Sequence, residues 1–269
     1  MPGRLIRTGS LLHQLDIEVD EIHELLHAVR APIRVPGQEI TLSARVGVAL
    51  MPDHAADADA LLKAAETALN RAKRVSRDQV ALFSEEMKVA AFLRFTLEGD
   101  LRRAIGEDEL QVLYQPIIDV DRRCVVKAEA LVRWPHSSRG AVPPPEFISL
   151  AEETGLIVPL SEWALRQAAQ QAAAWQKAFG FADSIAVNLP SRLFERSDLI
   201  EHLHQCVTTH GVPHRVIMLE ITEDNLMKDL QNVIPALHRL NEIGVEIAID
   251  DFGTGYSSLA YLTTLPISE

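Results

Sequence analysis

Acid and amide side chains follow four short apolar segments of this 269-residue chain. Each segment is rich in Val, Ile and Leu and is separated from the next by a helical stretch, a pattern typical of parallel strands in a β/α fold. Catalytic side chains in that fold lie where the strands end, so these residues are expected to converge on one edge. Oxygen ligands without Cys or His suit Mg²⁺ or Mn²⁺ better than zinc. The residues are Glu129, Asn188, Glu220, Asp250 and Asp251.

The composition argues against several classes of protein. A net charge of -12 disfavours binding to long nucleic acid, because contact with many phosphates needs a basic surface. A small anionic ligand stays compatible, since bound divalent metals reverse the local sign of charge. Cys124 and Cys206 are far apart and encode neither a zinc site nor a disulfide framework, which favours a reducing, cytoplasmic location. The sequence has no apolar run that predicts a membrane segment and no signal-peptide pattern.

Strand and helix patterns alternate in the second part of the chain. Such alternation predicts a mostly parallel sheet with helices outside it. The histidines are scattered, and those at 202, 204 and 210 are expected on a solvated helix face and loop. The expected strands cover residues 110–118, 124–133, 184–188, 215–221 and 245–250, and the expected helices cover 146–154, 161–179, 197–209 and 229–241.

A smaller unit is predicted before the alternating region. It combines apolar alternation, which indicates a half-buried strand, with apolar residues at helical spacing. A long helix that begins with acidic residues is then expected to join the two regions stiffly. The expected elements are a strand over 39–50, a helix over 57–75 capped by Asp57 or Asp59, a strand over 80–83, and a connecting helix from Ser84 to Gly106.

Six motifs of the second part resemble one family in their order along the chain. They are YQPI at 114–117, EALVRW at 129–134, PPPEFISLAEETGLI at 143–157, VNL at 187–189, LEITE at 219–223 and IDDFGTGYSSL at 249–259. Together they are similar to the EAL family of bacterial cyclic-di-GMP phosphodiesterases, over roughly residues 92 to 269. The resemblance implies hydrolysis of cyclic-di-GMP to the linear dinucleotide with Mg²⁺ or Mn²⁺ as cofactor.

The resemblance also implies metal ligands. A metal pair neutralises phosphate charge, generates hydroxide and stabilises the leaving oxygen. By similarity, Glu129, Asn188, Glu220 and Asp250 would bind metal, and Asp251 would bind the second metal. The catalytic centre would then comprise Glu129, Asp250 and Asp251.

Other residues would bind substrate or control access to it. Arg133 would meet a substrate phosphate, for which its planar fork is suited, and Gln115 would contact the ligand or the residues behind it. Glu223 resembles the residue that holds a lid loop, whose backbone freedom depends on Gly253 and Gly255. The resemblance also implies a homodimer formed through this region.

Each site residue has a structural interpretation as well. A strand-end Glu is often only a solvated terminus, and an Asn before Leu-Pro is often a turn residue or a helix cap. Two aspartates before Phe-Gly-Thr-Gly are a common turn composition, and an Arg beside a Trp can be a stacked surface pair. The ordered set favours the functional interpretation, because these structural explanations would have to coincide at successive strand ends.

A second resemblance covers the first part of the chain. Residues 21–83 look like the C-terminal half of a GGDEF domain, the type of domain that makes cyclic-di-GMP. The best-aligned segment of the Gly-Gly turn, IRTGS at 6–10, has no acid to hold Mg²⁺, so no cyclase activity is expected. The expected domains are a partial, degenerate GGDEF-like region over 1–83, the connecting helix over 84–106, and the N-terminal part of an EAL domain over 92–269.

The expected fold class is α/β. In the EAL family a Lys-Ile-Asp motif and further ligands follow the segment at which this sequence ends, and a closed eight-stranded barrel takes about 250 residues. We therefore expect a partial TIM-type barrel of about five strands, preceded by a partial α+β unit, and no activity of the 269-residue chain alone. Two alternatives stay open, a non-catalytic module for nucleotide sensing or dimerisation and a gene fragment without function.

Overall fold

A computed structural model describes most of the chain. The described residues are 4–6, 14–16, 19–36, 38–75, 80–180, 183–194, 196, 198–228, 230–252 and 265–268. The chain divides into two compact units, Met1–Leu97 and Glu98–Glu269. Across the described ranges, no helix combines the length and apolar character needed to cross a membrane.

Short strand pairs, two helices and the first part of a third helix make up the described part of the first unit. Two of the pairs are antiparallel and the third is parallel. The elements are β1 (Arg4–Ile6), β2 (Gln14–Asp16), α1 (Val19–Val29), β3 (Ile33–Val35), β4 (Gln38–Ile40), β5 (Val46–Val48), α2 (Ala58–Val75) and β6 (Val80–Leu82).

Helix α2 supplies most of one buried apolar cluster of this unit. It begins one residue after Asp57, whose Oδ1 accepts a hydrogen bond from the Ala60 amide at 2.8 Å, so the predicted N-cap is Asp57. The inner face of the helix is lined with small residues, which lets β5 approach closely. The buried cluster comprises Ala49, Leu61, Ala64, Ala65, Ala68 and Phe83.

The prediction of one strand over 39–50 is wrong. β4 ends at Ile40 and pairs with β3, whereas β5 begins at Val46 and pairs with β6. The residues between them cross from one strand pair to the other, and Leu42, expected on the buried face, is 47% exposed. Regular alternation across 39–50 therefore concealed two short strands with different partners.

The expected connecting helix forms as α3, Glu85–Gly106. The Ser84 side chain hydrogen-bonds to the Glu86 carboxyl and lowers its pKa. A negative charge is favoured at this position, because it lies at the start of a helix. The boundary between the two units falls within α3, between Leu97 and Glu98.

The second unit contains the predicted sheet. Within the described residues its strands are β7 (Gln111–Asp119), β8 (Cys124–His136), β9 (Gly140–Val142), β10 (Ser184–Asn188), β11 (Ile217–Thr222) and β12 (Glu246–Asp250). Their order is β12-β11-β10-β8-β7, and β9 forms a hairpin with the end of β8. Neighbours from β8 to β12 are parallel, whereas β7 is antiparallel to β8.

Helices connect the parallel strands, as the alternation predicts. They are α4 (Pro144–Thr154), α5 (Ile157–Phe179), α6 (Leu199–Thr209), α7 (Glu223–Lys228) and α8 (Leu230–Glu242), with 3-10 turns at Ser191–Leu193 and His214–Val216. The five long strands match the predicted ones, so the expected α/β fold is confirmed. The short strand β9 was not predicted, and the strand expected from 215 begins two residues later because the 3-10 turn occupies its start.

Candidate active site

The predicted site residues on the strands lie on one face of the sheet, toward the carboxyl ends of its parallel strands. We call this end of the sheet the acidic edge. Side chains that are paired in register on neighbouring strands project from the same face. Asn188 on β10 pairs with Glu220 on β11, and both lie near the carboxyl ends of their strands. Register pairing of Ala186 with Glu129 places Glu129 one pleat before Asn188 on β8. These three oxygen donors therefore occupy three adjacent strands.

Glu129 and Asn188 are in direct contact. The Asn188 side-chain amide donates a hydrogen bond to Oε1 of Glu129 at 3.1 Å. Asn188 is exposed and Glu129 is half-buried, so the pair is open to a ligand from one side. Next to it, the Leu189 amide donates to the backbone oxygen of Glu220 at 2.8 Å, which fixes the exit of β10 against β11.

Asp250 ends β12 one pleat beyond Glu220. Its partner in register is Thr222, two residues after Glu220 on β11. The Asp251 amide donates to Oδ1 of Asp250 at 2.9 Å, and Asp251 adopts a left-handed backbone with φ 54°. Both aspartates are exposed. The described residues contain no group of three or more His, Cys, Asp or Glu side chains close enough to hold a metal ion.

A layer of three buried side chains supports this edge. Each stands two residues before a site residue on the same strand, so it projects from the same face one pleat lower. We call Ala186, Met218 and Ala248 the supporting layer, and they precede Asn188, Glu220 and Asp250 respectively. Such a dry layer beneath polar side chains restricts where those side chains can move.

Gln115 and Arg133 lie on the adjoining part of the sheet. Gln115 on β7 pairs in register with Glu129 and is exposed. Arg133 stands four residues after Glu129 on β8, on the same face, and its Nη1 donates to the Val132 carbonyl at 2.9 Å. The neighbouring Trp134 is 2% exposed, so the alternative of an Arg-Trp surface stack does not hold.

A groove of about 320 Å³ opens beside the edge. Its walls are mostly apolar and come from helices α4, α5 and α7 and from the ends of β8, β10 and β11. Three predicted site residues, Arg133, Asn188 and Glu220, form part of its polar lining. An apolar groove with a few convergent polar groups is the usual form of a small-molecule site.

The lid prediction is only partly covered by the described residues. Glu223 is the first residue of α7, immediately after β11, and it is 5% exposed. A buried carboxylate at a helix start is consistent with a structural role behind the edge. Gly253 and Gly255 lie outside the described residues.

Sequence reasoning missed a hydrogen-bonded pair of His and Asp side chains near the end of β8. Nε2 of His136 lies 3.1 Å from Oδ2 of Asp100 on α3, and the Ser138 amide donates to Nδ1 of the same ring. The hydrogen bond from His136 lowers the pKa of Asp100, to which Arg103 also contributes. His136 is 7% exposed, so the pair holds the strand that carries Glu129 against α3. Neither residue stands out in sequence, because their contact spans 36 positions.

The expectation for the histidines needs correction. His204 is exposed, as expected, but its ring pairs with that of His214. His202 is half-buried, and its Nε2 atom is enclosed rather than solvated. The periodicity of α6 shows its buried face but does not show what its exposed face meets.

Parallel strands and outer helices define an α/β domain that carries oxygen-bearing side chains at the carboxyl ends of its strands. Residues 98–269 match the EAL domain family, and the chain belongs to it. Residues 11–79 match the diguanylate cyclase GGDEF domain. Both family predictions made from the motifs are thus confirmed.

Relatives and a solved structure agree with this assignment. The chain is 38% identical to the cyclic di-GMP phosphodiesterase NbdA of Pseudomonas aeruginosa, with 90% of this chain and 31% of the relative covered. It is 37% identical to the cyclic di-GMP phosphodiesterase PdeR of Escherichia coli, with 90% and 36% covered. The chain therefore spans about a third of the length of these curated relatives.

The solved structure is that of the PaMucR phosphodiesterase in complex with c-di-GMP. Its sequence identity to this chain is 39% and the TM-score is 0.62, with 65% of this chain and 70% of that chain covered. The similarity supports the arrangement of strands and helices described above.

Proposed function

We propose that the second unit provides the metal-binding and phosphate-binding edge for metal-dependent hydrolysis of cyclic-di-GMP to the linear dinucleotide. The contact between Asn188 and Glu129, with Glu220 next to Asn188 in register, carries the proposal. Three oxygen donors from three successive strands have little structural purpose at an exposed edge. The phosphodiesterases among its relatives and the complex of the similar solved structure indicate the substrate.

The donor set fits a hard divalent cation. Mg²⁺ binds oxygen at about 2.1 Å in octahedral geometry, which puts adjacent ligands about 3.0 Å apart. The amide group of Asn188 lies 3.1 Å from Oε1 of Glu129. A half turn of that amide exchanges its nitrogen and oxygen, so two ligand oxygens would then have the required spacing. Glu129, Asn188, Glu220 and Asp250 would hold the metal, with Asp251 at a second one. The carboxylates of Glu220 and Asp250 would have to turn toward the Asn188–Glu129 pair, because the described carboxylates do not already form a group of three.

The chain's own residues would bind and orient the substrate. The bound metals would supply charge neutralisation and a nucleophile from water. Arg133, which lines the groove, would bind the non-bridging oxygens of a substrate phosphate, because guanidinium donates two parallel hydrogen bonds to phosphate. Gln115, beside Glu129, would donate to the ligand through its amide.

Two further parts of the proposal rest on family membership. A cytoplasmic protein that dimerises through the EAL unit would place two sites in one assembly. Glu223 would act as a positioning residue that couples the segment after β12 to the edge, and its burial supports a fixed rather than a solvated carboxylate.

Metal binding by the full chain tests the site. Isothermal titration calorimetry with Mn²⁺ should show binding that Mg²⁺ competes for and that Glu129→Ala weakens at least tenfold. Glu242→Ala is the matched control, since Glu242 is an exposed carboxylate at the end of α8, away from the strand ends. Equal Mn²⁺ affinity for the wild type and Glu129→Ala would refute the ligand set.

Cyclic-di-GMP binding separates the enzyme from the alternative of a nucleotide sensor. Arg133→Lys should weaken binding of cyclic-di-GMP and leave Mn²⁺ affinity unchanged, since Lys cannot form the paired contact. Binding that needs Mn²⁺ supports the phosphodiesterase site, and release of linear dinucleotide above a Glu129→Ala control would assign hydrolysis to this chain itself. Nucleotide binding that is unaffected by metal and by Glu129→Ala would favour a sensor.

A further inference from the structure

Two histidines form a close pair on the second unit, apart from the acidic edge. Nδ1 of His204 on α6 lies 2.9 Å from Nε2 of His214 in the 3-10 turn before β11. The ring planes differ by only 19° and the ring centroids are 5.0 Å apart. The two nitrogens therefore lie between the rings and face each other.

Buried neighbours hold both histidines in place. On α6, Leu203 and Val207 are fully buried on either side of His204. Val212 and Val216 are buried on either side of His214. The two rings are thus presented by backbones whose positions are fixed by the core, so little order would have to be gained on binding a ligand.

We propose that His204 and His214 form a binding site for a divalent transition-metal ion that prefers imidazole, such as Cu²⁺, Ni²⁺ or Zn²⁺. Ligands at about 2.0–2.1 Å from a metal, and at right angles to each other, lie about 2.9 Å apart, which is the distance between the facing nitrogens. Each ring would also turn, so that its lone pair points at the metal instead of at the other ring. Tetrahedral Zn²⁺ needs a separation of about 3.3 Å, which a small rotation of either ring provides.

The protons of the pair balance without an added reactant. In the metal-free pair one facing nitrogen carries a proton and donates it to the lone pair of the other. On metal binding that proton moves through solvent to the second nitrogen of the same ring, so both facing nitrogens present lone pairs.

The site is independent of the proposed function and differs from the acidic edge in chemistry. Imidazole favours Cu²⁺, Ni²⁺ and Zn²⁺, whereas carboxylate oxygens favour Mg²⁺ and Mn²⁺. A metal held between α6 and the turn before β11 would tie these two elements together, because it binds the folded arrangement and not the unfolded chain.

Copper titration of the full chain tests the proposal. In the presence of excess Mg²⁺, which occupies oxygen ligands, the first equivalent of Cu²⁺ should give an electron paramagnetic resonance spectrum with couplings to two imidazole nitrogens. His204→Gln and His214→Gln should each lower the affinity for that first equivalent of Cu²⁺ at least tenfold. The matched control is His27→Gln, an exposed helical histidine of the first unit, which should leave the affinity unchanged.

A stability measurement provides the second readout. Zn²⁺ should raise the unfolding midpoint of the wild type and of His27→Gln, but not that of His204→Gln, and circular dichroism without metal should show all variants folded. Equal copper affinity in wild type, His204→Gln and His214→Gln would overturn the proposal. A loss of copper affinity in His27→Gln as large as that in His204→Gln and His214→Gln would also overturn the proposal.

Discussion

The supporting layer gives a quantitative test of how the acidic edge is held. Met218 is its largest side chain and is 1% exposed. Met218→Ala removes three buried heavy atoms and leaves a cavity, which typically costs about 2–5 kcal/mol. For a unit of this size about 1 kcal/mol corresponds to about 2–4 °C, so a loss of about 3 kcal/mol lowers the midpoint by about 6–12 °C.

The same substitution should also reach the metal site. Glu220 stands one pleat above Met218 on β11, so a cavity below it lets its carboxylate adopt more positions. We expect Mn²⁺ affinity to fall several-fold in Met218→Ala, although the residue is itself no ligand. Met218→Leu is the control, because a swap of similar volume usually costs less than about 1.5 kcal/mol.

Thermal unfolding followed by circular dichroism and Mn²⁺ titration on the same samples provide the measurement. A midpoint for Met218→Ala within about 2 °C of wild type, where a fall of about 6–12 °C is expected for a loss of about 3 kcal/mol, would show that the layer is loosely packed. The link from layer to edge would be refuted if stability fell as expected while Mn²⁺ affinity stayed the same.

Three other predictions concern charge and packing. The hydrogen bond from His136 lowers the pKa of Asp100 in the folded state. The stabilisation from this bond is therefore complete above the ordinary carboxyl pKa of 3.8 and is lost as pH falls through the folded-state pKa. In Asp100→Asn, the urea unfolding midpoint should depend less on pH in the acid range. A β-carbon at Gly47 would overlap the backbone of α2, so Gly47→Ala should lower the free energy of unfolding by about 1–3 kcal/mol or more and increase hydrogen exchange in α2. Gly99→Ala is the control and should do neither, because a β-carbon at Gly99 would meet no atom within 4 Å outside its own helix. Burial raises the pKa of Tyr114 to about 12, so ultraviolet titration should show one late phenol that Tyr114→Phe removes, and a single titration near pH 10 would contradict its burial.

The fold of the second unit was predictable because its pattern is redundant. Each parallel strand is a buried apolar run between helices, so an error of one or two residues at an end leaves the order of elements unchanged. β9 escaped prediction because a three-residue strand that begins at Gly140 has too few positions to show a period. The segment over 39–50 failed for a different reason, since alternation marks extended backbone without identifying the partner strand.

Much of the site could be anticipated from strand ends alone. Parallel strands carry their carboxyl ends to one edge, so the neighbouring positions of Asn188 and Glu220 follow from topology. The contacts of Asp100 with His136 and of His204 with His214 did not follow. Both join elements whose separation and rotation are set by packing, which a single sequence does not encode locally.

The backbone of Asp251 has a consequence for engineering. Its φ of 54° is a conformation that suits glycine, and an ordinary residue pays about 1 kcal/mol or more to adopt it. Asp251→Gly should therefore leave the chain as stable or up to about 1 kcal/mol more stable, while removing the carboxylate proposed for the second metal. A campaign that selected variants only for heat resistance would favour such a change, and would thereby remove the ligand proposed for the second metal.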